Sequence, residues 1–445
     1  MPTIHHGDCI ETMNAMPPES VDAIVCDPPY GLSNTTPAQV ADTIAKWAGG
    51  DRGHVPTGRG FMGKSWDAFV PPPAVWDECM RVLKPGGHMV VFAGSRTHDL
   101  MGLSIRLAGF EMRDSLAWLY GSGFPKSHDV GKAIDKLAGA EREVVGTIPD
   151  RWTQKGSTYN MSTDRPQESV AVLGAPATPE AAQWDGWGTA LKPAFEPIVL
   201  ARKPLAEKTV ARNVLAHGTG AINVDACRVT PLTGAEVARS GKSTNGGIYG
   251  DCGSVDWKRD GSAPSGRWPA NVLLDHHAAA WVDEQSGESV SKASASRGKR
   301  GGMLRLNGFH TVDELRAAAG AGERTPNGRD ARATLANYEA SPDEARGHTD
   351  SGGASRFFYT AKAPKSERPN VDGVQHPTVK PLAIMRWLLR LVTPPGGTVL
   401  DPFAGSGATV EAALIEGFNP IGIELEAEYL PLIQHRIDRQ GGDES

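Results

Sequence analysis

Short apolar runs separated by amphipathic stretches mark both ends of the chain. Val21-Asp22-Ala23-Ile24-Val25-Cys26 is almost continuously apolar, as a strand covered on both faces requires. It stops at Asp27-Pro28-Pro29-Tyr30, because two prolines cannot continue a hydrogen-bonded ladder. Ahead of it, Asp8 to Met16 reads as one short helix. Residues 31–73 form a long Gly/Pro-rich stretch carrying Trp47, Arg52, Arg59, Lys64 and Trp66, and a connection of that length in a compact domain is usually functional or disordered. Trp76–Leu83 reads as a helix ending at Lys84-Pro85-Gly86-Gly87. Strand His88–Ala93, helix Leu100–Ala108 and strand Ser115–Leu119 follow. Strands alternating with helices predict a parallel sheet with helices on both faces.

Residues 126–180 are polar and broken by Gly and Pro, so the alternation fades there. Pro197-Ile198-Val199-Leu200-Ala201 is one further strand. From about 206 to 365 the chain is loop-rich, and within it residues 291–305 hold Lys292, Arg297, Lys299, Arg300 and Arg305 with no acid. Regular order returns at His376. Leu382–Val392 is an amphipathic helix, Thr398–Leu400 a strand, Ala408–Glu416 a helix, and Pro420–Ile423 a strand ending at Glu424.

At 445 residues, two compact units or one unit with a large insertion are expected. The 39% hydrophobic content is that of a globular protein, and 52 Gly with 33 Pro predict many loops. A net charge of −6 gives no global nucleic-acid signal, although a basic groove can sit on an acidic protein. Cys9, Cys26, Cys79, Cys227 and Cys252 are scattered without a CxxC pair and read as free thiols in a reducing cytoplasm. No metal is expected; Cys252 with His276 and His277 is a weak zinc pattern, and the two histidines read more simply as a solvated helix start. No apolar run approaches a membrane span and no secretory leader is seen, so a cytoplasmic location with no membrane partner is expected.

Two loops carry chemistry. Asp401-Pro402-Phe403-Ala404-Gly405-Ser406-Gly407-Ala408-Thr409 joins a buried strand to a helix. Gly405 and Gly407 allow a tight turn and close approach of a ligand, and the helix start offers unpaired N–H groups. Glu424, at the tip of the next strand, can accept both hydroxyls of a ribose. Together they suit an adenosine-type cofactor; the GxGxxG of a dinucleotide site is absent. In Asp27-Pro28-Pro29-Tyr30 the Asp27 carboxylate and the Pro28 carbonyl can accept the two hydrogens of an exocyclic amino group. That favours the tetrahedral nitrogen needed to attack an electrophilic methyl. The prolines stiffen the loop, and Tyr30 offers a ring on which a planar base can stack. A base in a duplex must first leave the stack.

These residues resemble the DNA amino-methyltransferases, adenine-N6 or cytosine-N4. Asp27–Tyr30 looks like their catalytic motif and Asp401–Thr409 like their cofactor motif. Gly7-Asp8-Cys9 resembles the segment that contacts the cofactor's adenine. Leu83–Gly87 resembles a turn of the fold, and His376-Pro377-Thr378-Val379-Lys380-Pro381 the segment at the methionine end. The motif order resembles the beta class. The likeness covers roughly 1–125, 180–205 and 366–440; Arg267–Asn271 and Ser355–Tyr359 look like segments of some relatives.

The resemblance implies an α/β, Rossmann-like methyltransferase sheet, mostly parallel with one antiparallel strand, with helices on both faces. A large loop-rich target-recognition region is inserted into it. The implied division is 1–125 for the catalytic half, 126–180 for an insertion, 181–205 for a core strand, 206–365 for recognition and 366–445 for the cofactor half. It further implies S-adenosyl-L-methionine as cofactor and in-line transfer of its methyl. Asp27, Pro28, Pro29 and Tyr30 would be catalytic. Asp8, Cys9, His376, Thr378, Lys380, Asp401, Phe403, Gly405, Gly407 and Glu424 would hold the cofactor, with Lys380 at its methionine end. Lys292, Arg297, Lys299 and Arg300 would contact DNA phosphates. Double-stranded DNA is the expected partner, with a homodimer and a cognate restriction endonuclease as further candidates. Asp27 favours adenine over cytosine, where relatives often carry Ser. An RNA or protein-glutamine substrate, or a DNA-binding protein without activity, remains an alternative.

Overall fold

The computed structural model describes residues 2–58, 60, 65–121, 123, 127–149, 170–229, 266–290, 312–324, 330–332, 351–361 and 367–441. They divide into two compact units, Met1–Tyr120 with Phe195–Ser445, and Gly121–Ala194. Among them no helix is long and apolar enough to cross a membrane.

The larger unit is built on a nine-stranded sheet. Its strands are β1 (Thr3–His6), β2 (Val21–Cys26), β3 (Leu83–Phe92), β4 (Glu111–Leu119), β7 (Phe195–Arg202), β8 (Val272–Asp275), β11 (Tyr359–Ala361), β12 (Thr398–Asp401) and β13 (Asn419–Glu424). β5 (Val144–Pro149) and β6 (Val170–Gly174) pair in the smaller unit, and β9 (Ser289–Val290) and β10 (Ser351–Gly352) form a separate ladder. The order across the sheet is β1-β13-β12-β2-β3-β7-β4-β8-β11. β7 runs antiparallel to both neighbours, β3 and β4, and every other pairing is parallel. The expected sheet with its single reversed strand is therefore present.

Alternation along the central strands feeds two cores. Ile24 and Cys26 of β2, Met89 and Val91 of β3, and Val199 and Ala201 of β7 face one side, where Trp47, Trp76, Met101 and Ile105 cover them. Ala23, Val25, Val90, Phe92, Ile198 and Leu200 face the other, under helix Leu382–Val392 and Ala412 and Ala413 of helix Ala408–Ile415. A fully buried apolar side chain of this size contributes about 1.5–3 kcal/mol. Helix Leu382–Val392 buries seven such residues, from Ile384 to Val392, which fixes it against the sheet.

Several elements differ from the sequence expectation. The stretch 31–73 is not all loop: Pro37–Ala48 is a helix. Thr36 and Gln39 cap it reciprocally, Gln39 Oε1 accepting the Thr36 N–H at 2.9 Å, with proline at the first turn. The Thr-x-x-Gln spacing was a readable start signal. β3 begins at Leu83, five residues early, and Lys84–Gly87 form an irregularity between the pairs Val21↔Leu83 and Ala23↔His88. β8 and β11, both from the stretch 206–365, extend the main sheet instead of standing apart from it.

The smaller unit is wider than the insertion expected over 126–180. Its helix Val130–Ala138 is capped by Asp129 and closed by Gly139 in the left-handed region (φ 64°). Asp135 ties the unit together, accepting from Arg142 Nε at 2.6 Å and from the Thr178 N–H at 3.1 Å.

Candidate active site

The carboxyl ends of β2, β12 and β13 lie side by side. β12 pairs with β2 on one flank and with β13 on the other. Chain direction reverses its progress across the sheet between β12 and β2, and a crevice outside the strand tips is expected at such a switch point. A cavity of about 360 Å³ opens there. Asp27, Pro28, Pro29 and Tyr30 line it, and so do Asp8, Cys9, His376, Thr378, Lys380, Asp401, Phe403, Gly405 and Glu424. Two segments at opposite ends of the sequence thus form one site.

Gly407 is not in the lining. It starts helix Ala408–Ile415 with φ 81°, and a Cβ there would meet Ile433 at 3.1 Å, so its glycine serves backbone geometry and helix packing. Lys292, Arg297, Lys299 and Arg300 lie outside the described residues, as does Cys252. Trp47 is core, whereas Trp66 joins the cavity wall with Leu32, Val55 and Phe69.

Glu424 ends β13 and lines the cavity. Its Oε2 accepts the Gly405 N–H at 2.7 Å and its Oε1 the Glu426 N–H at 2.8 Å. A carboxylate has about four acceptor positions, so each oxygen keeps one for a hydroxyl. Burial holds its pKa above the ordinary value. Gly405, at φ 52°, lies so close to His376 that a Cβ would stand 3.2 Å from Nε2. The His376 Nδ1–H donates to the Thr378 carbonyl at 2.5 Å, and its ring packs edge-on against Tyr429. Asp8 caps helix Cys9–Asn14, accepting from Ile10 N–H at 2.8 Å, and lines the cavity as well. Phe403 packs edge-on against Trp76. Asp401 is only 3% exposed, and burial pushes its carboxyl up to about 7 against the hydrogen bonds from Thr409 and the Phe403 N–H. These residues suit an adenosine-type molecule bearing a cationic tail.

In the same cavity Asp27 is held on both oxygens. Tyr30 Oη donates to Oδ1 at 2.8 Å and Lys380 Nζ to Oδ2 at 2.7 Å. Lys380 is buried and stands over the Tyr30 and Phe92 rings, 5.2 and 5.1 Å from their centroids. Burial opposes its charge, yet the carboxylates of Asp27 and Glu196 hold its pKa up to about 12. Burial first, then the charges of Asp27 and Glu196, raise the Tyr30 phenol well above 10. Gly31, at φ 65°, lies where a Cβ would stand 2.6 Å from the Val70 N, and its N–H donates to Asp67 at 2.9 Å. That contact fixes the turn leaving the Asp27–Tyr30 loop.

Glu196 escaped sequence reasoning. Its Oε2 lies 3.2 Å from Tyr30 Oη, whose single hydrogen points to the nearer Asp27, and 3.4 Å from Lys380 Nζ. Being second in an antiparallel strand, it lies at the sheet edge where the parallel strands end. An acid directly before an apolar run was visible; the strand's reversed direction, which gives that acid its meaning, was not.

The family described as "DNA methylase", covering N6 and N4 enzymes, matches residues 21–435. The chain belongs to this N6/N4 DNA methylase family. Among its relatives, this methylase is 34% identical over 104 residues to the DNA adenine methyltransferase YhdJ of Escherichia coli K12, covering 23% of this chain and 34% of YhdJ. It is 44% identical over 73 residues to the Type II methyltransferase M.BglI of Bacillus subtilis, covering 16% and 20%. The matched stretches thus span about a third or less of these relatives' lengths. Among solved structures, the cytosine-N4-specific PvuII DNA methyltransferase is similar at a TM-score of 0.39 and 13% identity, covering 98% of this chain and 87% of that one.

Proposed function

We propose that this methylase transfers a methyl group from S-adenosyl-L-methionine to the exocyclic N6 amino group of adenine in double-stranded DNA. The observation that carries the reading is that Asp27 and Glu424, 397 positions apart by their numbers, line one cavity. S-Adenosyl-L-methionine, when bound, supplies an electrophilic methyl on a sulfonium. Glu424 would hold its ribose, Gly405 would leave room beside His376, and Asp401 would face the cationic methionine end.

Asp27 would accept one hydrogen of the amino group, and the Pro28 carbonyl the other. Its lone pair freed from the ring, the nitrogen forms the new C–N bond while the electron pair of the broken C–S bond stays on sulfur. The nitrogen then loses a proton, for which the Asp27 carboxylate is the acceptor in reach. Tyr30 and Lys380 keep that carboxylate aimed, which supplies near-attack geometry. The flipped base would lie on Tyr30, and the apolar wall of Trp66 and Phe69 would exclude water. The presence of Asp at position 27 supports adenine.

The test is incubation with methyl-labelled cofactor and unmethylated genomic DNA, digestion to nucleosides, and identification of the labelled one. N6-methyladenine is expected. N4-methylcytosine would keep the chemistry and change the base, and label found only in RNA or protein would overturn the reading. Asp27→Ala should retain cofactor binding while transfer falls by orders of magnitude.

A further inference from the structure

We propose that Glu196 is a positioning residue for methyl transfer: it shares the Lys380 ammonium with Asp27, so the cluster at the reacting centre keeps a net negative charge. The inference rests on the function proposed above and names a role for a residue outside its motifs.

Lys380 Nζ stands 2.7 Å from Asp27 Oδ2 and 3.4 Å from Glu196 Oε2. Tyr30 Oη reaches the same two carboxylates, at 2.8 and 3.2 Å. The lysine side chain is 8% exposed, and Asp27 and Glu196 are each about a fifth exposed. Two carboxylates, one ammonium and a neutral phenol sum to one negative charge. Were Glu196 absent, Lys380 and Asp27 would be a one-to-one ion pair with no net charge. Such a pair would aim the aspartate but give no preference for a cation beside it. Glu196 separates the two jobs: the lysine still orients Asp27, and the surplus charge favours both a sulfonium nearby and positive charge developing on the attacked nitrogen. Charges at low-dielectric sites of this kind are screened far less than in water. Glu196 reaches the nitrogen only through Lys380 and Tyr30, so its effect is electrostatic and positional.

The discriminating measurement is equilibrium binding, without DNA, of S-adenosylmethionine and of its thioether product S-adenosylhomocysteine to the full chain by calorimetry. The two ligands differ at the sulfur by one positive charge and one methyl. The wild type should favour the sulfonium, and Glu196→Gln should reduce that ratio about tenfold. Glu196→Asp, which keeps the charge, should preserve the ratio even if both affinities fall. Single-turnover methyl transfer should drop in Glu196→Gln by a similar factor. A Glu196→Gln ratio within twofold of wild type, including equal weakening of both ligands, would overturn the proposal and leave the methyltransferase reading intact. Should the glutamine variant fail to fold, Glu196→Ala decides by the same measurement: a ratio reduced about tenfold supports the proposal, and a ratio within twofold of wild type refutes it. A wild type that binds neither ligand overturns both.

Discussion

Asp401 should make the folded protein less stable as pH rises through neutrality. Its carboxyl is 3% exposed at the tip of β12, with the charges of Asp27 and Glu424 near it. Burial raises its pKa from an ordinary 3.8 to about 7, while the Thr409 hydroxyl and the Phe403 N–H partly offset that rise. In the unfolded chain the group ionises near its ordinary value; in the folded chain it keeps its proton until about pH 7. The folded state therefore binds the extra proton between these limits, and stability declines with a slope of about −1.36 kcal/mol per pH unit. A pKa difference of about three corresponds to about 4 kcal/mol, fully present below the unfolded pKa and lost as pH rises through the folded one. Urea unfolding of the ligand-free protein from pH 4.5 to 8.5 measures this. Glu196, Glu367 and Glu424 are also raised by burial and act in the same direction, so the wild type alone does not isolate one residue. Asp401→Asn does, because the amide preserves shape and cannot ionise. The difference between the two profiles should change by about 3 kcal/mol across this range. Parallel profiles would refute the assignment. A cationic ligand beside Asp401 favours the carboxylate, so binding of S-adenosylmethionine near pH 6.5 should release up to about three quarters of a proton, read from calorimetry in buffers of different ionisation enthalpy. Asp401→Asn should remove that release.

Other positions give independent tests. Tyr30→Phe keeps the ring and deletes a hydroxyl that donates to Asp27 and lies beside Glu196; hydrogen bonds to charged groups contribute about 1.5–3 kcal/mol, so single-turnover transfer should fall about 10- to 100-fold with DNA affinity unchanged. Gly405→Val places a β-branched side chain at φ 52° with Cβ 3.2 Å from His376 Nε2; a stability loss of about 1–2 kcal/mol by denaturation and at least a tenfold weaker cofactor affinity by calorimetry are expected. Glu411 is fully buried and pairs with Arg436 and Arg439, and Gln440 donates to it at 3.0 Å. Glu411→Gln leaves a buried guanidinium short of its counter-charge, and urea unfolding should show a loss of about 3–5 kcal/mol.

The parts legible in the sequence were those whose chemistry is local. β2 announces itself because a strand buried on both faces must be apolar throughout, and the two prolines after it fix where it ends. The Gly405 turn is legible because a left-handed residue in close contact with a histidine ring excludes side chains. Lys380 is legible as part of a short motif, which implies a place at the cofactor's methionine end; its ammonium on Asp27 is visible only in the fold. Gly407, expected to hold the cofactor, opens helix Ala408–Ile415 at φ 81° and is not in the cavity lining, and a turn glycine and a cavity glycine look alike in sequence. Glu196 depends on the direction of one strand relative to its neighbours, which no local pattern encodes. β8 and β11 were hidden for a related reason: each is four residues or fewer, too short for periodicity to register, and the pairing partner that stabilises each is far along the chain.

The seam between β2 and β12 explains how a site can be divided between the front and the back of one chain. Only two residue pairs join these strands, Val399↔Ala23 and Leu400↔Ile24, fewer than in any neighbouring pairing among the central strands. A ladder that short leaves register weakly specified by backbone alone. Asp22 supplies what is missing. It is 7% exposed, accepts the Thr398 N–H through Oδ2 at 2.8 Å, and receives Lys84 Nζ on Oδ1 at 2.6 Å. One carboxylate thus pins the start of β12 to β2 and ties both to the irregular opening of β3. Slipping β12 by one residue would break that contact and turn its side chains to the opposite core. It would also carry Asp401 and the Gly405 turn along the strand axis by about 3.3 Å, a displacement large compared with the tolerance of in-line transfer. The polar residue inside an otherwise apolar strand, which periodicity alone would count as a defect, is what sets the distance between Asp27 and the Gly405 turn.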